Sequence, residues 1–288
     1  IIDFIFIYGI TRGIIMLYVH EDNLLNKINS DYNGLKEELK KFYKEEYISY
    51  KDKLNSLNFA SEDMNIFEEA SRLINEYLIK LYKAQKDYNI DPRSKFRSSF
   101  LEEISTYLFK DLSLITDETF VIHNKKIYAG MKVNNQMHID ILSKDVDFCI
   151  GKKVILKVEY TEESDNIQEI PIIVPVICVE VKTYLDATMF GEAQFSSKQI
   201  KNASPNVKTY VLMEYNEVKK EKIIAARYDN NLNEMFVLRG GSKKNDDSLN
   251  PRPLDSKALL EYYKEISTTI ENTDVEDIVN NTGKLLGR

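Results

Sequence analysis

The stretch that most constrains this chain is EIPIIVPVICVEVKTYL, which runs from Glu169 to Leu185. From Ile170 to Val179 it is apolar throughout and rich in β-branched residues. Continuous runs of this kind read as strands covered on both faces, the habit of sheets inside α/β domains. The run then ends on Glu180, Val181 and Lys182. Successive strand residues face opposite ways, so Glu180 and Lys182 share one face while Val179 and Val181 point to the other. Charges at the end of a buried strand lie where open sheets form their sites.

A second strand-like stretch, HIDILSKDVDFCIGKKVILKVEY, precedes it and connects through the polar turn TEESDN. Here Asp145 and Asp147 repeat the two-residue spacing. If the two strands are neighbours, one Asp, one Glu and one Lys meet at a point. Two converging carboxylates raise each other's pKa, and a divalent cation removes that penalty. Oxygen ligands that leave room for water and phosphate suit magnesium. A lysine beside metal-bound water can orient it or help deprotonate it, and can offset charge developing on a phosphate. The plainer reading is a same-face ion pair on an exposed strand, which would stabilise little. The apolar flanks argue against that exposure.

The remaining chain supplies the frame. Its 288 residues, 43% of them hydrophobic, can bury a sizeable core in one large domain or two small ones. A net charge of -7 argues against a coat protein for nucleic acid, but a nuclease needs basic residues along one cleft only. Cys149 and Cys178 lie in apolar runs and read as reduced core thiols of a cytoplasmic protein. His20, His123 and His138 show no zinc-ligand spacing with them. The N-terminal IIDFIFIYGITRGIIM is too short and too interrupted to span a membrane, and no basic segment precedes it as in a signal peptide. Residues 1–15, ahead of Met16, read as an upstream extension, with an N-terminal core strand as the alternative.

From Asn23 to Gln85, apolar residues recur at helical steps. A second helix is expected to start at Ser61 as N-cap and run through Leu81, with Pro92 ending the segment. A third helix is expected over Ser98 to Leu112. After the central strands, DATMFGEAQFSSKQIKNA reads as a helix with Ala193, Phe195, Ile200 and Ala203 as its apolar points. VKTYVLMEYNEV and EMFVLRGG read as strands, and Ser256 to Leu286 as a mostly helical tail. The layout is a helical region over residues 1–92, then an α/β (α+β) core over 93–288 with a mixed sheet flanked by helices. It contains at least one right-handed parallel crossover.

An Asp, then a Glu-x-Lys at the end of an apolar strand, is the arrangement of the PD-(D/E)XK nucleases. The chain resembles a type II restriction endonuclease of that superfamily, within the Bpu-type, BbvCI-like family that cuts CCTNAGC-like sites. SSFLEEISTYLF, KDVDFCIG, VPVICVEVKTYLDATM and YVLMEYNEV carry the resemblance over the central half of the chain, in the family's order. A lone E-x-K is weak. The same motif after an apolar run, with D-x-D-F upstream and a helix and strand downstream, is far more specific. The resemblance implies that Asp147 and Glu180 hold the metal, that Lys182 is the catalytic lysine, and that Glu102 supports a metal-bound water. Glu103 competes for that last role. Val146 stands where the family often has Pro, so Asp145 stays open beside Asp147, with Asp140 as a further contender. The apolar run after Asp147 favours Asp147.

The resemblance also implies Mg2+-dependent hydrolysis of double-stranded DNA at a CTNAG-containing site, leaving 5'-phosphate and 3'-hydroxyl ends. It implies a homodimer or a heterodimer with a related subunit, and a cognate DNA methyltransferase that protects the host. A repair or recombination nuclease, or a non-cleaving DNA-binding module, is the alternative. Arg93, Lys95 and Arg97 precede the glutamate-bearing helix and are candidate phosphate contacts. Lys198 and Lys201 on the next helix, and Arg239 in the basic stretch RGGSKK, are further DNA-binding candidates. Arg239 and Arg252 are also candidate base readers. Each of these, taken singly, is equally well read as a solvated surface charge.

Overall fold

The computed structural model describes residues 18–112, 120–123, 126–135, 138–159, 167–228, 231–243 and 250–271. Expectations for the N-terminal extension, the TEESDN turn and the end of the C-terminal tail fall outside these residues. Among them, no helix is long and apolar enough to cross a membrane.

The N-terminal third is helical. Helix α1 spans Val19–Asn29, and α2 (Lys36–Phe42) runs into α3 (Ile48–Asn55) through a π-helical turn at Tyr43–Tyr47. Helix α4, Met64–Asp87, buries a stripe that includes Phe67, Leu73, Ile74, Tyr77, Leu78 and Leu81, as its periodicity predicts. Its N-cap is Asp63, whose carboxylate accepts the Asn65 N–H, and not Ser61, which lies in a preceding short turn. Helix α5, Ser98–Phe109, is buried along almost its whole length.

Strands follow: β1 (Phe120–His123), β2 (Lys126–Val133), β3 (Ile139–Asp145), β4 (Phe148–Glu159) and β5 (Ile167–Leu185). Helix α6 (Ala187–Ala203), strand β6 (Lys208–Asn216), helix α7 (Lys220–Ala226), strand β7 (Glu234–Val237) and helix α8 (Ser256–Glu271) complete the described chain. Among the described residues one sheet has the order β1-β4-β5-β6-β7, and β2 pairs with β3 in a separate ribbon. Strand β4 lies antiparallel to β1 and β5, while β5, β6 and β7 are parallel. The β5-α6-β6 unit is thus the expected parallel crossover. Asp186 starts α6 by accepting the N–H groups of Thr188 and Met189, both at 2.9 Å.

Three departures from the sequence reading have plain causes. HIDILSKDVDFCIG is two strands, because the chain leaves the β2–β3 ribbon at Asp145 and enters the main sheet at Phe148. Between Leu112 and His138 the sequence reading assigns no element, yet β1 and β2 lie there. Helix α7 is short and mostly exposed, so it carries little periodic signal.

The long strand β5 explains its own prolines. Strand β6 pairs only with Ile177 to Leu185, so Pro171 and Pro175 lie in the part of β5 that has β4 on one side and no β6 on the other. Prolines are tolerated on edges of this kind. Opposite Pro175 the register shifts between Ile150 and Gly151. A Cβ at Gly151 would lie 2.7 Å from the Val174 carbonyl oxygen, so only glycine fits this bulge.

One continuous core joins the helices of the N-terminal third to the sheet. It runs from Leu24 through Tyr77 and Phe100 to Val179, Val181 and Ile266. A smaller cluster on the other face of the sheet holds Cys149 and Cys178, which are cross-strand partners and free thiols, as their apolar settings predict.

Candidate active site

Alternation along β5 gives the site its direction. Val179 and Val181 are buried in the main core, while Glu180 and Lys182 remain partly exposed on the opposite face. Asp147 occupies the break between β3 and β4, where the chain must pass close to β5 because Phe148 pairs with Val179. Its Oδ2 accepts the Val181 N–H at 2.8 Å, which fixes the carboxylate against the strand that bears Glu180 and Lys182. The Lys182 ammonium donates to Glu180 Oε1 at 2.6 Å and stands 3.8 Å from Asp147 Oδ2. Three charged groups far apart in sequence thus converge, as the two-strand argument expects.

Asp145 and Asp147 both line the cleft, and they differ in how they are held. Asp145 ends β3 as an exposed residue paired with Lys126, whereas Asp147 is the one tied to β5. Asp140 lies farther along β3, facing Asn134 and Lys132 in the ribbon.

The two adjacent glutamates of α5 have opposite fates. Glu102 lines the cleft with Asp147 and Glu180. Burial pushes its carboxyl up to about 7, and the negative charge of Asp147 adds to this. Glu103, one residue on, turns about 100° around the helix and is fully buried. Its Oε2 accepts the N–H groups of His20 at 2.8 Å and Glu21 at 3.1 Å. Its Oε1 accepts the hydroxyls of Tyr47 at 2.9 Å and Tyr107 at 2.6 Å. Helix α1 has no side-chain cap of its own, so a carboxylate from α5 caps it in trans. Glu103 is therefore part of the frame, not of the cleft.

The electrostatics of the cleft are those of crowded acids. Burial raises the Asp147 carboxyl above its usual value, and Glu180 raises it further, although Lys182 pulls the other way. Burial pulls Lys182 down, but Glu180 and Asp147 outweigh it and leave the ammonium above its usual pKa. Lys182 is therefore a cation in this arrangement, suited to donating hydrogen bonds and offsetting charge. The rise at Asp147 despite its lysine partner shows which effect wins: desolvation and the second carboxylate outweigh the ion pair.

Among the described residues no three Asp, Glu, His or Cys side chains are disposed so as to hold a metal on their own. Asp147 and Glu180 form a two-carboxylate floor in an open cleft of about 510 Å³. This fits a magnesium ion, which takes one or two carboxylates and fills its shell with water and substrate phosphate. It does not fit zinc or a fully enclosed calcium.

The other sequence candidates separate. Lys95 lines the cleft beside Glu102. Arg93 is exposed and bound to Asp91 at 3.1 Å, and Arg97 lies over the Tyr82 ring at 4.3 Å. Lys198 is exposed on α6. Lys201 instead lines a larger cavity of about 700 Å³ with Lys208 and Arg227, between α6, α7 and β7 and away from the acidic cluster. Arg239 corrects the sequence reading: it is 1% exposed, with Nη1 donating to Asn75 Oδ1 at 3.1 Å and Nε 3.7 Å from Glu214. A buried arginine neutralising a buried glutamate offers no hydrogen bonds to DNA. Glu214, a lone acid inside the apolar VLMEY, is the sequence signal that called for such a partner. Arg252 is exposed, and its Nη1 donates to the Gly240 carbonyl at 2.8 Å.

Helix α6 contributes a wall that the sequence reading assigns elsewhere. Phe190, Ala193, Ser197 and Ile200 form its buried face. Phe195 is 63% exposed and lines the cleft with Ser196 and Gln199 rather than packing in the core.

Comparison with known proteins bears on the fold and the family. A solved structure described as the native BbvCI A2B2 tetramer at low resolution matches with a TM-score of 0.70 at 15% identity, over 90% of this chain and 99% of that one. At that identity the likeness is one of fold. No curated protein matches the sequence. The model of the Bpu10I restriction endonuclease family matches residues 93–249, the span that holds α5, the break at Asp147, the Glu180–Lys182 strand end and the crossover helix. Sequence match and cleft thus coincide on the same residues, and the chain belongs to the Bpu10I restriction endonuclease family.

Proposed function

We propose that this cleft hydrolyses phosphodiester bonds of double-stranded DNA with a Mg2+ ion held by Asp147 and Glu180, as a type II site-specific endodeoxyribonuclease. The observation that carries the reading is the convergence of Asp147, Glu180 and Lys182, with one lysine bridging both acids. Magnesium, when bound, supplies Lewis-acid polarisation of the phosphate and a more acidic water. Asp147, fixed by the Val181 N–H, and Glu180 would hold that ion. The Lys182 ammonium donates to the attacking water and to phosphate oxygens as negative charge grows on them. Glu102, held near neutrality by burial, exchanges a proton with solvent water at the edge of the cleft. Water's oxygen bonds to phosphorus and releases a proton to solvent, the P–O3' bond breaks, and the 3' oxygen takes up a proton from solvent. This leaves 5'-phosphate and 3'-hydroxyl ends.

Arg93, Lys95 and Arg97 before α5, and Lys198 on α6, are proposed to contact the DNA backbone. The described residues hold one such cleft, so a double-strand cut calls for two chains, as a homodimer or with a related subunit. The similar solved structure is described as an A2B2 tetramer. A CTNAG-containing site and a protecting methyltransferase follow from the family reading.

The test is digestion of phage DNA by purified protein with Mg2+, repeated with EDTA and with Lys182→Ala. Discrete bands that need the metal and the lysine support the proposal, and sequencing the fragment ends gives the site. A smear would indicate a nonspecific nuclease, and a mobility shift without cleavage would indicate a binding module. Full activity of Lys182→Ala would remove the lysine from the mechanism.

A further inference from the structure

Lys95 stands at a position where glycine or asparagine is the ordinary choice. Its backbone is left-handed, with φ 60° and ψ 9°, a conformation disfavoured for a residue with a Cβ. A backbone of this kind persists where the surrounding structure holds it. The turn is also pinned from inside the protein. The Ser99 hydroxyl donates to the Lys95 carbonyl at 2.7 Å, and His20 Nδ1 lies 2.9 Å from that hydroxyl oxygen. His20 Nε2 lies 2.8 Å from the Tyr77 hydroxyl. Because Ser99 spends its proton on Lys95, His20 must donate from Nδ1 and accept from Tyr77 at Nε2. Burial holds the imidazole neutral, with its pKa lowered to about 3, which agrees with that single tautomer. Next to the turn, Lys27 donates to the Ser94 carbonyl at 2.8 Å.

The side chain these contacts present is exposed and lines the cleft with Glu102, Asp147 and Glu180. Among the described residues its ammonium closes no ion pair, whereas Lys182 is already engaged with two carboxylates. The lining sets five acids, Glu102, Asp145, Asp147, Glu180 and Glu192, against Lys95 and Lys144, so with Lys182 committed the cleft is short of positive charge for an incoming phosphate diester.

We propose that Lys95 is a second phosphate-binding cation of the active site, contacting non-bridging oxygens of the scissile phosphate, and that the buried Tyr77–His20–Ser99 relay positions it. The proposal rests on the nuclease reading above.

The test uses plasmid DNA that the wild type cuts, under single-turnover conditions with Mg2+, and binding to the same DNA in EDTA across a salt series. Lys95→Gly suits the left-handed turn, so its melting temperature should equal or exceed the wild type's. Its cleavage should slow by about 10- to 100-fold, and the salt slope of its DNA binding should fall by about one ion. Lys95→Arg should recover part of the rate. Ser99→Ala should slow cleavage several-fold in the wild-type background and have no further effect when added to Lys95→Gly. A Lys95→Gly enzyme within about twofold of wild type with an unchanged salt slope overturns the role of Lys95. Equal slowing by Ser99→Ala in both backgrounds overturns the relay. A wild type that cuts no DNA at all would instead overturn the nuclease reading, and this proposal with it.

Discussion

Glu103→Gln separates two effects that oppose each other at one buried carboxyl. Burial pushes Glu103 up to about 7, while four donors from Tyr107, Glu21, Tyr47 and His20 pull it down. Burial wins, so the folded protein holds a proton there that the unfolded chain, near 4.5, has released. A raised acid stabilises the fold fully below its unfolded pKa, and this contribution fades as pH climbs through about 7. Between pH 5 and pH 8 the wild type should lose about 2.5 kcal/mol from this group. Glutamine keeps an acceptor and the shape but cannot ionise. The cost of Glu103→Gln should therefore be larger at pH 5 than at pH 8 by about that amount. At either pH it also puts an amide N–H2 in place of one of the two accepting oxygens, which weakens the trans cap of α1 by about 1–2 kcal/mol. Urea unfolding at the two pH values, with both proteins in the same buffers, reads the difference. A cost that grows toward pH 8 would mean that the four donors outweigh burial and that Glu103 is a stable anion, which would refute the reasoning.

Other consequences follow from single contacts. Arg239→Ala should cost about 3 kcal/mol in thermal or urea unfolding by leaving Glu214 buried without its counter-charge, yet leave the cleavage pattern on phage DNA unchanged. An altered pattern would return Arg239 to the DNA interface. Gly151→Ala should destabilise by about 2 kcal/mol or more, because its Cβ meets strand backbone that cannot yield, and a melting temperature equal to wild type would contradict the bulge geometry. Glu180→Gln should abolish cleavage while keeping or raising the melting temperature, since it relieves crowding with Asp147. A large loss of stability would mean that Glu180 serves the fold.

The strand end was the most legible part of the molecule. Alternation on a buried strand dictates that Glu180 and Lys182 share a face, and an apolar run after Asp147 ties that residue to the neighbouring strand. Neither inference needs tertiary knowledge. The choice between Glu102 and Glu103 could not be read, because both sit on one buried helix, and only the arrival of α1 and of the π-helical turn bearing Tyr47 decides which is enclosed. Arg239 was misleading for a similar reason. Its neighbours Gly240, Gly241 and Lys243 look like a basic loop, but Glu214 on β6 draws it inward. Phe195 shows the reverse. It reads as an apolar point of a helix, and it lies off the buried stripe of α6 because that stripe passes through Ala193 and Ser197. The break between β3 and β4 was invisible because the two strands belong to different sheets but are separated by only Val146 and Asp147.

The central claim is that Asp147 and Glu180 share one divalent ion. Anomalous diffraction from crystals grown with Mn2+ and a duplex DNA, using Lys182→Ala to prevent turnover, measures this directly. The account predicts a single strong peak about 2.0–2.2 Å from a carboxylate oxygen of each residue, lost in Glu180→Gln crystals. A peak bound by only one of the two, or a manganese site elsewhere with this cleft empty, would contradict it.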